Sequence, residues 1–598
     1  MNMQPQLATD STAARPSVAK SWLKAIKLTA QIDTEPHRLL SDIVAERAET
    51  TPDSPAVISD NGTFNYRQLA ERIDRYAAWT LAQGIEPGDT VALLMPNQPD
   101  YLAAWLGITK VGGVAALINN NLVGAALAHC LDVAQPKHII VATALKPAFD
   151  GARPHLKASP RLWLHGDSND EWSIEAALAS APPATYERKV SVDDLALLIY
   201  TSGTTGLPKA ARVSHGRVMS WAGWFAGLTG ATPDDRMYNC LPLYHSVGGV
   251  VATGSMLFAG GSVVIAEKFS ARRFWDDIVR HDCTLFQYIG ELCRYLLQAP
   301  SSALEAQHRL RLACGNGLRG DVWEAFQRRF AIPRILEFYA STEGNFSLYN
   351  VEGEPGAIGR IPSFLAHRFP AAIVRFDQDS GLPLRGDDGL CIRCARGEAG
   401  EAIGRIGEAE RGGGRFEGYT SDADSDKKVL RDVFAKGDAW FRTGDLMILD
   451  AKGFFRFVDR IGDTYRWKGE NVAASEVTEV IAAAPGVIDT SVYGVEVPHQ
   501  DGRAGMAAIV VADDFDLAAL YQHVAAALPS YARPLFIRIR AALDLTGTFK
   551  QAKQDLLRDG FDPRRITEPL YFADAAAGRY VTLDPEFYDR IANAEVRV

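Results

Sequence analysis

Hydrophobic and polar residues alternate along the chain in blocks that predict strands and helices in turn. The segment "PAVISDNGTFNYRQLAERIDRYAAWTLAQG" predicts a strand, a turn, a second strand and a helix that starts near Asn65. The following segment, "DTVALLMPNQPDYLAAWLGITKVGGVAALIN", predicts a strand, a helix and the entry to another strand. The same alternation recurs at "HIIVA", "SVVIAE" and "IVRHDCTLFQYIG". This pattern predicts an α/β architecture in which parallel sheets are covered by helices.

The pattern changes twice further along the chain. After about residue 350, short strands separated by glycine ("GAIGRI", "AIVRFD", "GLCIRC", "GEAGEAIGRI") predict a smaller, distorted β-barrel unit. Beyond "GFFRFVDRIGD" the helix and strand alternation resumes, which places a boundary near Ile461. We therefore predict a flexible tail over residues 1–30, a large domain over residues 31–460 and a small, mobile α+β domain over residues 461–598.

Composition narrows the class of protein. The chain has 598 residues, of which 47% are hydrophobic and 23% are charged, and its net charge is -10. This balance is typical of a globular protein with more than one domain and argues against a general nucleic-acid binder. The seven cysteines are scattered, as reduced thiols usually are, and we interpret Cys391 and Cys394 as ordinary strand residues.

One uncharged stretch is long enough to cross a bilayer. It runs from Val247 to Ala266, but Gly260 and Gly261 divide it into a helix and a strand, so we predict a buried helix, turn and strand. The N-terminal segment lacks the pattern of a signal peptide. We expect a cytoplasmic protein with peripheral contact at the membrane, and the sequence does not indicate its oligomeric state.

The segment "YTSGTTGLPK" follows the apolar strand "DDLALLIYT" and combines glycines, hydroxyls and Lys209. Glycines allow close backbone approach, while hydroxyls, backbone N–H groups and a lysine can together hold a polyphosphate. The segment departs from the Walker pattern because Pro208 precedes the lysine and Ala210 follows it. A solvated Ser/Thr/Gly connection is the competing interpretation of this loop taken by itself.

Four motifs in order resemble those of the adenylate-forming superfamily, which includes acyl-CoA synthetases. "YTSGTTGLPK" resembles its phosphate loop, "EFYASTEGN" its adenine and magnesium segment, "FRTGD" its ribose segment and "DRIGDTYRWKGENV" its hinge. Further phrases, among them "LPLYHSVGG", "YRWKGENV" and "VYGVEVPHQDGRAGMA", resemble the fatty-acid transport protein and very-long-chain acyl-CoA synthetase family. The likeness extends from about residue 40 to the end of the chain.

The resemblance implies a ligase that uses ATP and Mg²⁺ to convert a carboxylic acid into an acyl-adenylate, which coenzyme A then attacks. By the same resemblance, Glu343 binds magnesium, Thr342 contacts the α-phosphate and Asp445 and Arg460 bind the ribose. The competing structural roles are a surface glutamate for Glu343 and an Asp–Arg pair that holds a turn. The other implied nucleotide-binding residues are Thr201, Ser202, Gly203, Thr204, Thr205, Gly206, Lys209, Gly315, Asn316, Gly317, Tyr339, Ala340 and Ser341, of which Tyr339 could equally be a core tyrosine.

The resemblance also assigns a catalytic lysine. Lys550, in "TGTFKQAK", matches the lysine that the superfamily brings to the α-phosphate, where a cation stabilises the charge that develops during adenylation. Relatives often have glycine directly before this lysine, whereas Phe549 stands here. At the hinge, relatives carry Asp or Lys where this chain has Gly462, so either Gly462 or Asp463 is the expected pivot.

Residues near the reacting acid are less sharply indicated. His245 matches a position near the carboxylate in relatives, and a helix-capping histidine is an equal alternative. Six residues are predicted to line an apolar acyl channel, although the same residues would also suit an ordinary core. Its members are Trp221, Trp224, Tyr288, Ile289, Gly290 and Leu292.

The leading functional hypothesis is a long-chain or very-long-chain fatty acid:CoA ligase. One alternative keeps the adenylation chemistry but changes the acid to a bile-acid, aryl or carnitine-like substrate, or changes the acceptor to a carrier-protein thiol. The other is an import factor that binds fatty acid without catalysis. The retained Glu343, Asp445 and Lys550 weigh against this last class.

Overall fold

The computed structural model describes residues 17–166, 172–182, 189–201, 207–377, 380–407, 415–468, 470–500, 502–544 and 553–596. Its architecture is mixed α/β, as the sequence pattern predicts. The helices are α1 Val18–Thr34, α2 Leu40–Thr50, α3 Tyr66–Ala82, α4 Pro99–Lys110, α5 Gly124–Ala134, α6 Lys146–Ala152, α7 Ile174–Ser180, α8 His215–Thr229, α9 Thr253–Ala259, α10 Phe274–Arg280, α11 Gly290–Gln298, α12 Gly320–Phe330, α13 Asp422–Asp426, α14 Ala474–Ala482, α15 Leu517–Ala527, α16 Gln554–Asp559 and α17 Pro585–Ala592.

The strands belong to several sheets, and they are numbered in chain order. They are β1 Pro55–Ser59, β2 Gly62–Asn65, β3 Thr90–Leu94, β4 Val114–Leu117, β5 His138–Ala142, β6 Arg161–His165, β7 Leu195–Thr201, β8 Lys209–Ser214, β9 Arg236–Asn239, β10 Ser262–Ile265, β11 Leu285–Ile289, β12 Leu312–Asn316, β13 Ile335–Ala340, β14 Ser347–Asn350, β15 Ala371–Val374, β16 Phe376–Asp377, β17 Leu382–Pro383, β18 Gly400–Arg405, β19 Val429–Arg431, β20 Ala439–Leu449, β21 Phe455–Arg460, β22 Tyr465–Trp467, β23 Glu470–Val472, β24 Val487–Glu496, β25 Arg503–Val511, β26 Phe536–Ile539, β27 Leu570–Asp574 and β28 Arg579–Thr582.

Two large sheets form the centre of the molecule. One has the strand order β14-β13-β12-β11-β9-β10-β1-β2 and the other β6-β5-β3-β4-β7-β8. The interior strands pair in parallel, while the edge strands β2, β8 and β14 pair antiparallel. Strands such as β4 and β10 are buried along their whole length, because helices cover both faces of each parallel sheet.

Where local sequence signals are strong, they determine the position at which a helix starts. The side chain of Asn65 accepts a hydrogen bond from the backbone N–H of Gln68 at 2.8 Å, and the Gln68 side chain accepts one from the N–H of Asn65 at 3.0 Å. This reciprocal pair is a capping box, so α3 starts at Tyr66, as the sequence predicts. Leu69 and Ile73 of α3 are then buried against the core.

The glycine-rich region after residue 350 forms a smaller antiparallel sheet, with the order β15-β18-β20-β19 and with β21 paired to β20. The expectation of short strands here is confirmed. The segment "GLCIRC" was expected to be one of them, and this detail is wrong: it makes only isolated bridges, at Cys391 and Arg393. Cys391 and Cys394 are both free thiols, and so are the other five cysteines.

Beyond β21 the chain builds a separate sheet with the order β24-β25-β26-β27-β28. Helices α14 and α15 pack on it in a core that includes Val477, Val492 and Leu520. This arrangement matches the helix and strand alternation predicted after the boundary near Ile461. The extents of the predicted domains themselves stay a prediction.

The predicted flexible tail over residues 1–30 is wrong for residues 18–30. Helix α1 starts at Val18, and the Ser17 side chain caps it by accepting from the N–H of Lys20. Trp22 and Ala25 are buried against α8. A Cβ on Gly227 of α8 would lie 2.3 Å from the Cα of Ala25, so the two helices approach as closely as a glycine allows.

The uncharged stretch from Val247 to Ala266 folds as predicted. A π-helix over Ser246–Ala252 continues into α9, Gly260 ends that helix with φ 80°, and β10 follows. Across the residues that the structure describes, no helix has both the length and the apolar character that a bilayer crossing requires.

Two buried histidines make the stability of the fold depend on pH. Burial lowers the pKa of both His138 and His215 to about 4. Because an unfolded chain binds these protons from pH 6.5 downward, stability should fall between pH 6.5 and pH 4, by up to about 1.4 kcal/mol per pH unit for each histidine. Urea unfolding at several pH values measures this slope, and it should flatten in His138→Gln but not in a variant of the exposed His367.

Candidate active site

The predicted ribose residues meet where the small β-sheet adjoins β13. Asp445 of β20 and Arg460 of β21 are register partners on adjacent strands, with Arg460 Nε 4.0 Å from Asp445 Oδ1. The Tyr339 hydroxyl, at the end of β13, donates to the other carboxylate oxygen of Asp445. This contact gives Tyr339 a polar role that the sequence did not indicate. A carboxylate held in this way can accept hydrogen bonds from both hydroxyls of a ribose.

Glu343 lies in the loop after β13 and is only 7% exposed, so it is not the surface glutamate of the competing interpretation. Its carboxylate faces the Tyr419 hydroxyl, and Lys428 Nζ lies 3.9 Å away. Burial, together with this carboxylate, raises the pKa of Tyr419. Mg²⁺ in nucleotide sites is usually held by one or two carboxylates plus phosphate oxygens, and a buried carboxylate beside hydroxyl oxygens fits that ion.

Arg217 of α8 holds the loop that carries Thr342 and Glu343. Its guanidinium is fully buried and donates to the carbonyl oxygen of Thr342 at 2.6 Å and to the carbonyl oxygen of Arg415. Its Nε lies 3.5 Å from Glu417, whose carboxylate also accepts from the backbone and hydroxyl of Ser214. One buried cation therefore ties the start of α8 to the loop that carries Thr342 and Glu343.

The predicted phosphate loop is described only at its two ends. Thr201 ends β7 and pairs in register with Lys209, the first residue of β8. Lys209 Nζ forms an ion pair with Asp424 at 2.8 Å and lies 5.6 Å from the centre of the Tyr419 ring. The remaining predicted loop residues lie outside the described part of the chain, and they are Ser202, Gly203, Thr204, Thr205 and Gly206.

A second wall of the site is formed by the ends of β11 and β12. A Cβ on Gly290 would lie 1.9 Å from the carbonyl oxygen of Gly317, so these two backbones touch. Beneath them the buried Glu337 accepts from the N–H of Leu318 at 3.1 Å and from the Tyr288 hydroxyl. Burial raises the pKa of Glu337 to about 8. Glu337 therefore anchors the "GNG" segment from below.

Several polar atoms at this edge are buried yet have no hydrogen-bond partner within the described ranges. They include Asn316 Oδ1 and Ser341 Oγ, both on residues predicted to contact the nucleotide. Ala340, which stands between Tyr339 and Ser341, is exposed. Buried polar atoms are normally paired, so these two atoms are suited to a polar ligand.

His245 directly precedes the π-helix Ser246–Ala252, and its ring lies 4.6 Å from the Tyr244 ring. The next residue, Ser246, brings its hydroxyl to 3.2 Å from the Thr342 hydroxyl. The "LPLYHSVGG" segment therefore adjoins the nucleotide loop through Ser246. A helix-capping hydrogen bond from the His245 side chain is not made.

The predicted acyl-channel side chains are divided between two core clusters. Trp221 and Trp224 of α8 belong to the main core cluster, whereas Tyr288 and Leu292 belong to a second cluster. Ile289 also packs against the second cluster, and Gly290 contacts Gly317. The tryptophans therefore pack in a different core cluster from Tyr288 and Leu292, and the acyl channel stays a prediction.

The predicted hinge lies within the described residues, whereas the predicted catalytic lysine does not. Gly462 and Asp463 lie in a turn directly after β21, with Gly462 exposed and Asp463 3.5 Å from Lys553. Lys550 and Phe549 lie outside the described residues. Their predicted roles stay predictions.

Sequence reasoning missed the residues that support this site from elsewhere in the chain. Tyr419 lies in the phrase "RFEGYT", Asp424 follows it, and Arg217 lies eight residues beyond Lys209, in α8. A buried arginine two residues into a helix has no distinctive spacing, so only the fold reveals its function. The supporting residues are Arg217, Glu337, Glu417, Tyr419, Asp424 and Lys428.

Comparison with known proteins defines the class first. The family model described as "AMP-binding enzyme" matches residues 44–385, and "AMP-binding enzyme C-terminal domain" matches residues 476–550. The chain belongs to this family of AMP-binding enzymes, and it is an AMP-forming acyl-CoA ligase by class, as its motifs predict.

The chain belongs, more narrowly, with the long-chain fatty acid transport proteins. It is 40% identical over 582 residues to long-chain fatty acid transport protein 1 of Mus musculus, covering 95% of this chain and 90% of that protein. It is also 40% identical to long-chain fatty acid transport protein 6 of the same organism, over 92% and 89% of the two chains. The family resemblance of the motifs is thereby confirmed.

Solved structures share the fold. ATP-bound MatB from Rhodopseudomonas palustris matches with a TM-score of 0.72 and 25% identity, covering 87% of this chain and 98% of that one. The fatty acyl CoA synthetase of Mycobacterium tuberculosis matches with a TM-score of 0.62 and 23% identity, over 87% and 98% of the two chains. The predicted fold class is confirmed.

Proposed function

We propose that this protein uses ATP to activate a long-chain or very-long-chain fatty acid as an acyl-adenylate, and then transfers the acyl group to coenzyme A. The observation that carries the proposal is the convergence of Asp445, Tyr339 and Glu343 on one edge of the sheet, beside the unpaired polar atoms of Asn316 and Ser341. The names of the similar fatty acid transport proteins support the choice of a fatty acid.

In this proposal the chain's own residues hold the nucleotide still while the acid attacks. Asp445, which Tyr339 holds in place, accepts hydrogen bonds from the ribose hydroxyls. Arg217 fixes the Thr342 carbonyl, so the Thr342 hydroxyl stays at the α-phosphate. An acid oxygen then bonds to the α-phosphorus as the bond to pyrophosphate breaks, and catalysis of such a step comes mainly from alignment and charge stabilisation.

Charge at the phosphates is balanced by groups that already surround the site. Lys209 is paired with Asp424, so binding of phosphate oxygens exchanges one anionic partner for another. Glu343 would hold magnesium, which when bound neutralises charge on the phosphate oxygens. In the second step the coenzyme A thiol attacks the acyl carbonyl, and AMP leaves with the electrons of the broken C–O bond.

The test is a panel of acids incubated with the purified protein, ATP, Mg²⁺ and coenzyme A. We expect AMP, pyrophosphate and acyl-CoA from hydrophobic acids, with Lys550→Ala lowering the rate of pyrophosphate release by about 10²-fold or more, because that lysine stabilises charge in the first step. Lys436→Ala, at an exposed position, is the matched control.

Four outcomes would contradict parts of the proposal. If no acid gave a product, the proposed ligase activity would be refuted. Fatty-acid uptake that persists in Lys550→Ala would favour an import factor. A faster reaction with bile, aryl or carnitine-like acids would change the substrate, and a carrier-protein thiol that outcompetes coenzyme A would change the acceptor. The cytoplasmic location with peripheral membrane contact stays a prediction.

A further inference from the structure

Lys428 is a loosely held cation in the turn between α13 and β19, and its side chain is 29% exposed. Its Nζ lies 3.9 Å from the Glu343 carboxylate, which is too far for a hydrogen bond. It donates to the carbonyl oxygen of Thr443 at 3.4 Å, which is long for such a contact. An ammonium group has three N–H donors, so the described hydrogen bonds of Lys428 use one of the three.

The backbone of Lys428, in contrast, is fixed on both sides. Its N–H donates to the carbonyl oxygen of Ser425 at 3.0 Å, and its carbonyl oxygen accepts from the N–H of Arg442 on β20 at 2.8 Å. The ammonium group lies 5.8 Å from the centre of the Phe441 ring. A side chain that starts from a fixed backbone but is weakly held at its charged end is suited to meeting a ligand.

The neighbouring lysines are held more tightly. Lys209 Nζ lies 2.8 Å from Asp424, and Lys427 Nζ lies 3.3 Å from the same carboxylate oxygen. Both distances allow direct contact between the charges, whereas the 3.9 Å from Lys428 to Glu343 does not. Of these three lysines, Lys428 therefore has the least to lose when an anion approaches.

Lys428 lies between the two carboxylates that the proposed function assigns to the nucleotide. Its Nζ is 3.9 Å from Glu343, the proposed magnesium residue. It also contacts Thr443 and Gly444, which directly precede Asp445, the proposed ribose residue. The phosphates of ATP are bonded to its ribose, and magnesium binds through phosphate oxygens. A phosphate chain that joins these two positions would run past the Lys428 ammonium group.

There is space for such a ligand beside the ammonium group. A Cβ built on Gly444 would lie 3.7 Å from Lys428 Nζ, and within the described residues no other atom outside the flanking residues comes within 4 Å of that position. Together with the 29% exposure of the side chain, this shows that an anion can reach the ammonium group.

We propose that the Lys428 ammonium group donates a hydrogen bond to a phosphate oxygen of ATP, as a phosphate-binding residue outside the glycine-rich loop. The inference rests on the proposed function, because it places the ribose at Asp445 and magnesium at Glu343. A hydrogen bond between an ammonium group and a phosphate joins two charged groups and is stronger than a bond to a neutral carbonyl oxygen. ATP therefore competes well for Lys428 against the Thr443 carbonyl.

The experiment measures the Kd of ATP and of adenosine by calorimetry, with and without Mg²⁺, for the full-length wild-type protein and its variants. Lys428→Met should raise the Kd of ATP by about 10- to 100-fold, the usual effect of losing a hydrogen bond to a charged group. Adenosine has no phosphate, so its Kd should stay within about twofold. Lys428→Arg, which keeps the charge, should bind ATP more tightly than Lys428→Met.

Lys427→Met is the matched control. It removes the same charge from the adjacent residue, which is 74% exposed, and it should change the Kd of ATP by less than about twofold. A second control separates direct contact from neutralisation of Glu343. In a Glu343→Gln protein without Mg²⁺, Lys428→Met should still weaken ATP binding, because the lost contact is with the nucleotide.

Equal ATP affinity of the wild-type protein and Lys428→Met would overturn the inference. An equal loss of ATP and adenosine binding would also overturn it, since Lys428 would then support the pocket rather than bind phosphate. So would wild-type-like ATP affinity of the double variant Glu343→Gln, Lys428→Met. A wild-type protein that binds no ATP would refute the proposed function as well. ATP binding without acyl-CoA formation would refute the ligase reaction and leave the test of Lys428 intact.

Discussion

Replacing Glu343 with glutamine should lower kcat/KM for acyl-CoA formation by about 10²- to 10³-fold while leaving the fold intact. The change keeps the size of the side chain and removes only its charge. Glu343 is buried, and Lys428 lies 3.9 Å away, so the loss of charge should weaken the hold on magnesium at the phosphates. Pyrophosphate release, measured as a function of Mg²⁺ concentration, checks this expectation.

A suitable control is Glu354→Gln. Glu354 pairs with Lys452 and Arg456 in a turn and is not one of the predicted site residues. Its substitution should change kcat/KM by less than about twofold, since surface ion pairs contribute little. If Glu343→Gln retained both the wild-type rate and the wild-type Mg²⁺ dependence, Glu343 would not be the metal-binding residue.

Replacing Arg217 with methionine should lower the free energy of unfolding by about 3–5 kcal/mol, the usual cost of removing one partner of a buried charged pair. The substitution leaves the buried Glu417 without its cation and the Thr342 carbonyl without a donor. The nucleotide loop would also lose its connection to α8. Denaturant unfolding of the two proteins measures the difference.

Arg212→Met provides the comparison. Arg212 lies on β8, is 43% exposed and pairs loosely with Asp422 at 3.8 Å. Its loss should cost less than about 1 kcal/mol. Equal, small effects of the two substitutions would mean that Arg217 does not hold the loop.

The sequence was informative where the signal is local. The alternation of strands and helices predicted parallel sheets, and Asn65 with Gln68 marked the start of α3 because a cap needs only neighbouring residues. The motifs assigned Asp445, Arg460 and Tyr339 to one nucleotide site. These residues come from separate segments of the chain, and in the structure they lie together.

The sequence was less informative where the side-chain direction or distant partners decide. The predicted acyl channel joins Tyr288 to Trp221, whereas these two side chains pack in different core clusters. Tyr419 and Lys428 reach Glu343 from more than seventy residues along the chain, and no spacing announces such a contact.

The N-terminal helix was missed for a different reason. Its buried positions, Trp22, Ala25, Thr29 and Ile32, repeat at helical spacing, but the polar residues between them suggested a tail. The AMP-binding family model starts only at residue 44, so that match does not cover this helix.

Helix α1 has a practical consequence for shortened forms of the protein. Cutting the chain at residue 44 would bare the Gly227 groove of α8 and the Trp224 ring that Trp22 covers at 5.8 Å. Apolar surface of that kind promotes self-association. Versions intended for crystallisation should therefore retain the residues from Ser17 onward.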